Sequence, residues 1–174
     1  MDQVQAGQTS DSGGAFDAAI DAFESAWRSG DSPEIRSLID KVPLKIRASL
    51  LDELIRVDLE YRWKNGSLAA TNGRPRTFPR YKIEDYAASH LELGDPSKPP
   101  LDLIVEEFRV RQRWGDHPDI AEFAQRFHGH GQKLTAALLE VAQDLQTEFK
   151  TPPALSTESP SASAGLPTFR WSRR

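Results

Sequence analysis

Imidazole, carboxylate, guanidinium and indole groups are the side chains here whose type and spacing point to chemistry. His128 and His130, in "FHGHGQK", stand two residues apart and have the donor atoms for a metal. Two imidazoles alone do not make a site, no nearby Cys or Asp completes the set, and a turn between helices is the better reading. Glu106–Glu107, Asp52–Glu53 and Glu84–Asp85 are adjacent carboxylates. Neighbours in sequence point to different sides of a helix, so these pairs read as solvated surface rather than as an acid and a base acting together. The arginines of "RVRQRW", residues 109 to 114, with Arg74, Arg76 and Arg80, form a candidate basic patch for nucleic acid. Interleaved Glu106, Glu107 and Asp116, and an overall net charge of −4, argue against it.

No motif of an enzyme is present. The chain has no Gly-Lys-Ser/Thr phosphate loop, no nucleophile elbow and no His-Glu-x-x-His. "GHGQKLT" has glycines and a lysine without the spacing that cradles phosphate. The chain contains no cysteine, hence no thiolate nucleophile and no zinc–thiolate site. A non-catalytic protein without a cofactor is the expectation. No apolar run reaches the roughly 18 residues of a membrane span, and the N-terminus lacks the basic start and apolar core of a secretory signal, so the expected location is cytoplasmic.

The elements that would carry these groups are helices. Phe16, Ala19, Ile20, Phe23 and Trp27 recur at helical spacing, as do Leu51, Leu54, Ile55 and Leu59. Leu101, Ile104, Val105 and Phe108 form a third stripe, and Leu134, Leu138, Val141, Leu145 and Phe149 a fourth. The phrase "WRSGDSPEIRSL" at residue 27 returns as "RWGDHPDIAEF" at residue 113. With Gly30 placed over Gly115, Phe23 falls on Phe108, Pro33 on Pro118, Ile35 on Ile120 and Val42 on Phe127. A third copy centres on Gly66, with an insert that is mostly "SLAATNGRPRTF", after which Ile83, Tyr86, Ala87 and His90 resume the pattern. The expected fold is all-α: three helical hairpins in a row and a closing helix from about Lys133, about seven helices in all. Glycine after each first helix is expected to supply a left-handed residue, and Ser32 and His117 to cap second helices that open with Pro33 and Pro118. Trp27 and Trp63, at matching positions, read as packing residues.

Residues 1–14 have the polar, Gly-rich composition of a disordered terminus, residues 15–150 form the repeat domain, and residues 151–174 read as a flexible Ser/Pro-rich linker. That linker holds candidate phosphorylation sites at Thr151, Ser156, Thr157, Ser159, Ser161 and Ser163. It ends in an aromatic, basic stretch in which Phe169 and Trp171 are candidate docking residues beside Arg170, Arg173 and Arg174.

The pieces "LLDELIRVDLEYRWKNG", "KIEDYAASHLEL", "LIVEEFRVRQRWGDHPDIAEFAQRF" and "LLEVAQDL" resemble the N-terminal extension of large bacterial serine/threonine protein kinases. In that group such a helical region precedes a Ser/Pro-rich linker and then the catalytic domain. The resemblance spans about residues 50 to 148 and the linker. It implies a non-catalytic interaction or regulatory module whose partner is another protein or a kinase domain in cis. The kinase glycine loop, Val-Ala-Ile-Lys, His-Arg-Asp and Asp-Phe-Gly are all missing from these residues, so no catalytic role carries over. A small helix-turn-helix-like regulator of nucleic acid, reading DNA through the third hairpin, is the alternative.

Overall fold

The computed structural model describes residues 8–66 and 78–150. They form α1 (Gln8–Arg28), α2 (Ile35–Ile39), α3 (Leu44–Asn65), α4 (Ile83–Ser89), α5 (Leu101–Trp114), α6 (Ile120–Arg126) and α7 (Gln132–Lys150), with 3-10 turns at Leu91–Leu93 and His128–His130. The architecture is all-α as the periodicity implies, and no strand occurs among the described residues. α1 begins at Gln8, inside the stretch whose composition suggested a disordered terminus. Gly13 and Gly14 lie on that first part of the helix with open space around them.

Three long–short pairs are followed by α7. The long helices lie side by side in chain order, α1 on α3, α3 on α5 and α5 on α7. Each short helix leans on the next long one: α2 on α3, α4 on α5, α6 on α7. One continuous core results, running from Phe23 and Trp27 through Leu54, Ile55 and Leu59 to Ile104, Phe108 and Leu138. Phe108 and Phe123 meet edge to face with ring centroids 5.3 Å apart, joining α5 to α6. No helix among the described residues is long and apolar enough to cross a membrane.

The turns depart from expectation. Gly30 has φ 84° and ends α1 in a Schellman arrangement, with Asp31 N–H donating to Ala26 O and Gly30 N–H to Trp27 O, both at 3.0 Å. Gly66 and Gly115 are not left-handed: their φ values are −62° and −123°. Gly115 is required for space, because a Cβ there would stand 2.8 Å from Cε3 of Trp63. The left-handed residue of that turn is His117, at φ 51°. The prolines also sit earlier than expected. α2 and α6 open at Ile35 and Ile120, with Glu34 and Asp119 as N-caps that make no side-chain capping bond. Ser32 therefore caps nothing, and its Oγ accepts instead from Arg62 Nη2 at 3.1 Å.

Candidate functional site

The charged residues that invite a functional reading are mostly used inside the array. Eight residues before Gly66 stands Asp58 and four before it Arg62. At the same offsets from Gly115 stand Glu107 and Arg111. Each acid faces its arginine one turn on: Arg62 Nε donates to Asp58 Oδ2 at 2.6 Å, and Arg111 Nη1 to Glu107 Oε1 at 3.1 Å. Each guanidinium then lies over the tryptophan of the preceding repeat, Arg62 over Trp27 and Arg111 over Trp63, both at 5.3 Å from the ring centroid. An acid, an arginine and an indole thus fasten α3 to α1 and α5 to α3.

Around Asp58, Tyr86 Oη donates to Oδ2 at 2.6 Å, bringing α4 into the unit. Burial raises the Asp58 pKa, opposed by the bonds from Tyr86 and Arg62. The Tyr86 hydroxyl is pushed well up by burial and by the Asp58 charge. Around Glu107 the network is wider. Its Oε2 accepts the first N–H of α4, from Ile83, at 2.9 Å, and its Oε1 accepts from Arg126 of α6 at 2.8 Å. Arg126 continues to Glu84 in a two-bond fork of 3.0 and 2.6 Å. Arg111 makes a second fork to Asp116 at 2.9 and 2.7 Å, and reaches Glu122 at 3.0 Å. Burial alone would lower the Arg111 pKa, but Asp116 and Glu107 more than offset it and raise it. Glu107, Arg111 and Arg126 are thus engaged in holding α4, α5 and α6 together, while Oδ1 of Asp58 is buried and makes no hydrogen bond.

One sequence expectation is corrected here. Glu106 and Glu107 are buried, 2% and 0% exposed, not solvated. α5 has helices on both flanks, so adjacent positions on it point into different interiors. Glu106 pairs with Arg109 and stands 3.8 Å from Arg56 of α3, whereas Glu107 serves α4 and α6. The arginines of residues 109 to 113 form no free basic patch: Arg109 is held by Glu106, Arg111 is 2% exposed, and Arg113 pairs with Glu148 at 2.7 Å. Arg80 lies 5.0 Å over the Trp63 ring, while Arg74 and Arg76 fall outside the described residues.

Trp27 and Trp63 are buried packing residues, and Trp114 is half exposed beneath Lys64 at 5.1 Å. Asp52 is partly desolvated, which raises its pKa. His128 and His130 sit in the 3-10 turn, and no cluster of three or more His, Cys, Asp or Glu among the described residues could hold a metal. Thr151, Ser156, Thr157, Ser159, Ser161, Ser163, Phe169 and Trp171 all lie outside the described residues.

Two open grooves stand out among the described residues. One, of about 600 Å³, lies between α2 and α4 and is lined by Arg36, Arg62, Tyr81, Tyr86, His90 and Glu92 among others. Arg36 and Glu92 close on each other at 2.6 Å across it. The second, of about 890 Å³ and more apolar, lies where α5, α6 and α7 meet, between Phe108, Pro118, Ile120, Ala142 and Leu145. Sequence reasoning missed both grooves. The acid–arginine pairs were legible as recurrences at fixed distance from Gly66 and Gly115, had charge been aligned as closely as hydrophobicity.

No family model matches the chain, and no curated protein or solved structure matches it either.

Proposed function

We propose that the chain is a non-catalytic interaction module that presents grooves on a stiff helical array to another protein, or to a kinase domain in cis. The observation that carries this reading is the internal consumption of the reactive side chains. Asp58, Glu107, Arg62, Arg111 and Arg126 are spent on holding repeats together, while the open surfaces are concave and partly apolar. The resemblance to the extension of bacterial serine/threonine kinases supplies the class of partner. The tail sites Thr151, Ser156, Thr157, Ser159, Ser161 and Ser163 supply a means of regulation, since each phosphate adds about −1.5 to −2 charges near neutral pH.

The test has two arms. Reading the coding DNA beyond codon 174 should reveal a glycine-rich loop within a few dozen residues, and NMR titration of the full chain with that catalytic domain should shift resonances lining one of the grooves. Salt-dependent binding to duplex DNA, with no response to a kinase domain, would replace this reading by the helix-turn-helix alternative. Against that alternative, Arg109, Arg111 and Arg113 are paired within the body.

A further inference from the structure

The third repeat lacks a ring that the first two possess. Three residues before the turn glycine stand Trp27, Trp63 and then Gln112. The hydrogen bond that Trp63 makes from this position, which Trp27 does not make, survives the change to Gln112. Trp63 Nε1 donates to Tyr81 O at 2.9 Å, and Gln112 Nε2 donates to Pro118 O at 2.7 Å. Tyr81 and Pro118 each stand two residues before the isoleucine that opens the short helix, Ile83 and Ile120. Gln112 therefore satisfies the same carbonyl without supplying an indole, and the open groove between α5, α6 and α7 lies at this place, with Gln112 in its wall. In the filled copies an arginine of the next long helix covers the ring. α7 contains no arginine.

We propose that the segment from Phe169 to Arg174 docks in cis in this groove, with the Trp171 indole taking the place that Trp27 and Trp63 fill in the earlier repeats. The inference goes beyond the functional reading above and does not depend on a kinase partner. The occupant matches the groove chemically: an indole for the walls of Phe108, Ile120 and Leu145, and its own arginines, Arg170 and Arg173, in place of the one α7 lacks. Asp119, exposed in the lining and in no salt bridge among the described residues, is a counter-charge for them. Chain length permits it. Leu145 is about 7.5 Å along the helix from Lys150, and the ~21 residues from there to Trp171 span about 25 Å as a random coil and up to about 70 Å extended. Effective concentration over such a tether is on the order of millimolar, so weak docking is enough to populate the site.

The experiment uses the isotope-labelled full chain. The expected result is cross-relaxation from the Trp171 indole to methyl groups of Ala121, Ala142 and Leu145, unchanged on dilution. In Trp171→Ala these peaks vanish and the groove methyls shift, without loss of any side chain of the helical body. Gln112→Trp, which fills the slot from within, should abolish the same peaks. If that variant does not fold, Ala121→Arg at the exposed lip serves instead, placing a charge against the incoming arginines. Absence of the peaks in the parent chain, or their persistence when the slot is blocked, overturns the proposal. Peaks found only between labelled and unlabelled chains in a mixed sample overturn it in favour of a second copy as occupant.

Discussion

Replacing Glu107 by glutamine changes one oxygen to an amide nitrogen and leaves shape and volume in place. The native carboxylate takes four hydrogen bonds, from Ile83 N–H, Arg111 and twice from Arg126, at 2.8 to 3.2 Å and with no solvent exposure. A glutamine must point its NH2 at some of these donors. Hydrogen bonds to charged groups are worth about 1.5–3 kcal/mol each, and a buried donor left without an acceptor costs about 1–3 kcal/mol. The arginines are not left bare, because Arg111 keeps Asp116 and Glu122 and Arg126 keeps Glu84. The net loss should therefore be about 2–4 kcal/mol, somewhat below the ~3–5 kcal/mol for breaking a buried pair outright. For a body of this size that lowers the melting temperature by about 5–15 °C. Urea unfolding followed by far-UV dichroism should show a lower midpoint at unchanged slope. Glu106→Gln is the internal control: its partners Arg109 and Arg56 are 30% and 22% exposed, so it should lose no more than about 1 kcal/mol. Equal losses in the two variants, or full additivity of Glu107→Gln with Arg126→Met, would refute the network account.

Gly115→Ala should cost about 1–3 kcal/mol by urea titration, since the new methyl meets the Trp63 ring at 2.8 Å, whereas Gly129→Ala, with open space around it, should stay close to the parent. Phe108→Ala should cost about 3–5 kcal/mol, and an unchanged melting temperature would remove Phe108 from the core. Burial, with help from Arg36, lowers the His90 pKa from 6.5, against the pull of Glu92. The unfolded chain then binds a proton more readily than the native one, so the contribution of neutral His90 is present above pH 6.5 and is lost as pH falls through that value towards the folded pKa. His90→Gln should flatten that part of the melting profile, and identical profiles would place the pH dependence elsewhere.

The existence of the helices, their order and their three-fold recurrence were determined by the sequence, because apolar spacing near 3.6 residues and a repeated turn phrase are local properties that any observer of the string can read. The burial of Phe23, Trp27, Leu54, Ile55, Phe108 and Leu138 follows from the same stripes. The positions of Glu107 and Arg111 required the tertiary structure. A single apolar stripe describes a helix with one covered face, but α5 is covered on both, and a charged residue on the second face looks in sequence like surface until its partner arrives from α4 or α6. The role of Gly115 was likewise decided in three dimensions: its φ is ordinary, and the Trp63 ring, 52 residues earlier in the chain, together with the Arg111 carbonyl oxygen leaves no room for a side chain. So was the groove beside Gln112. A missing indole is visible in the alignment of the repeats, yet the space it leaves depends on how far α7 closes against α5 and α6, which is set by packing between helices and not by any stretch of chain alone.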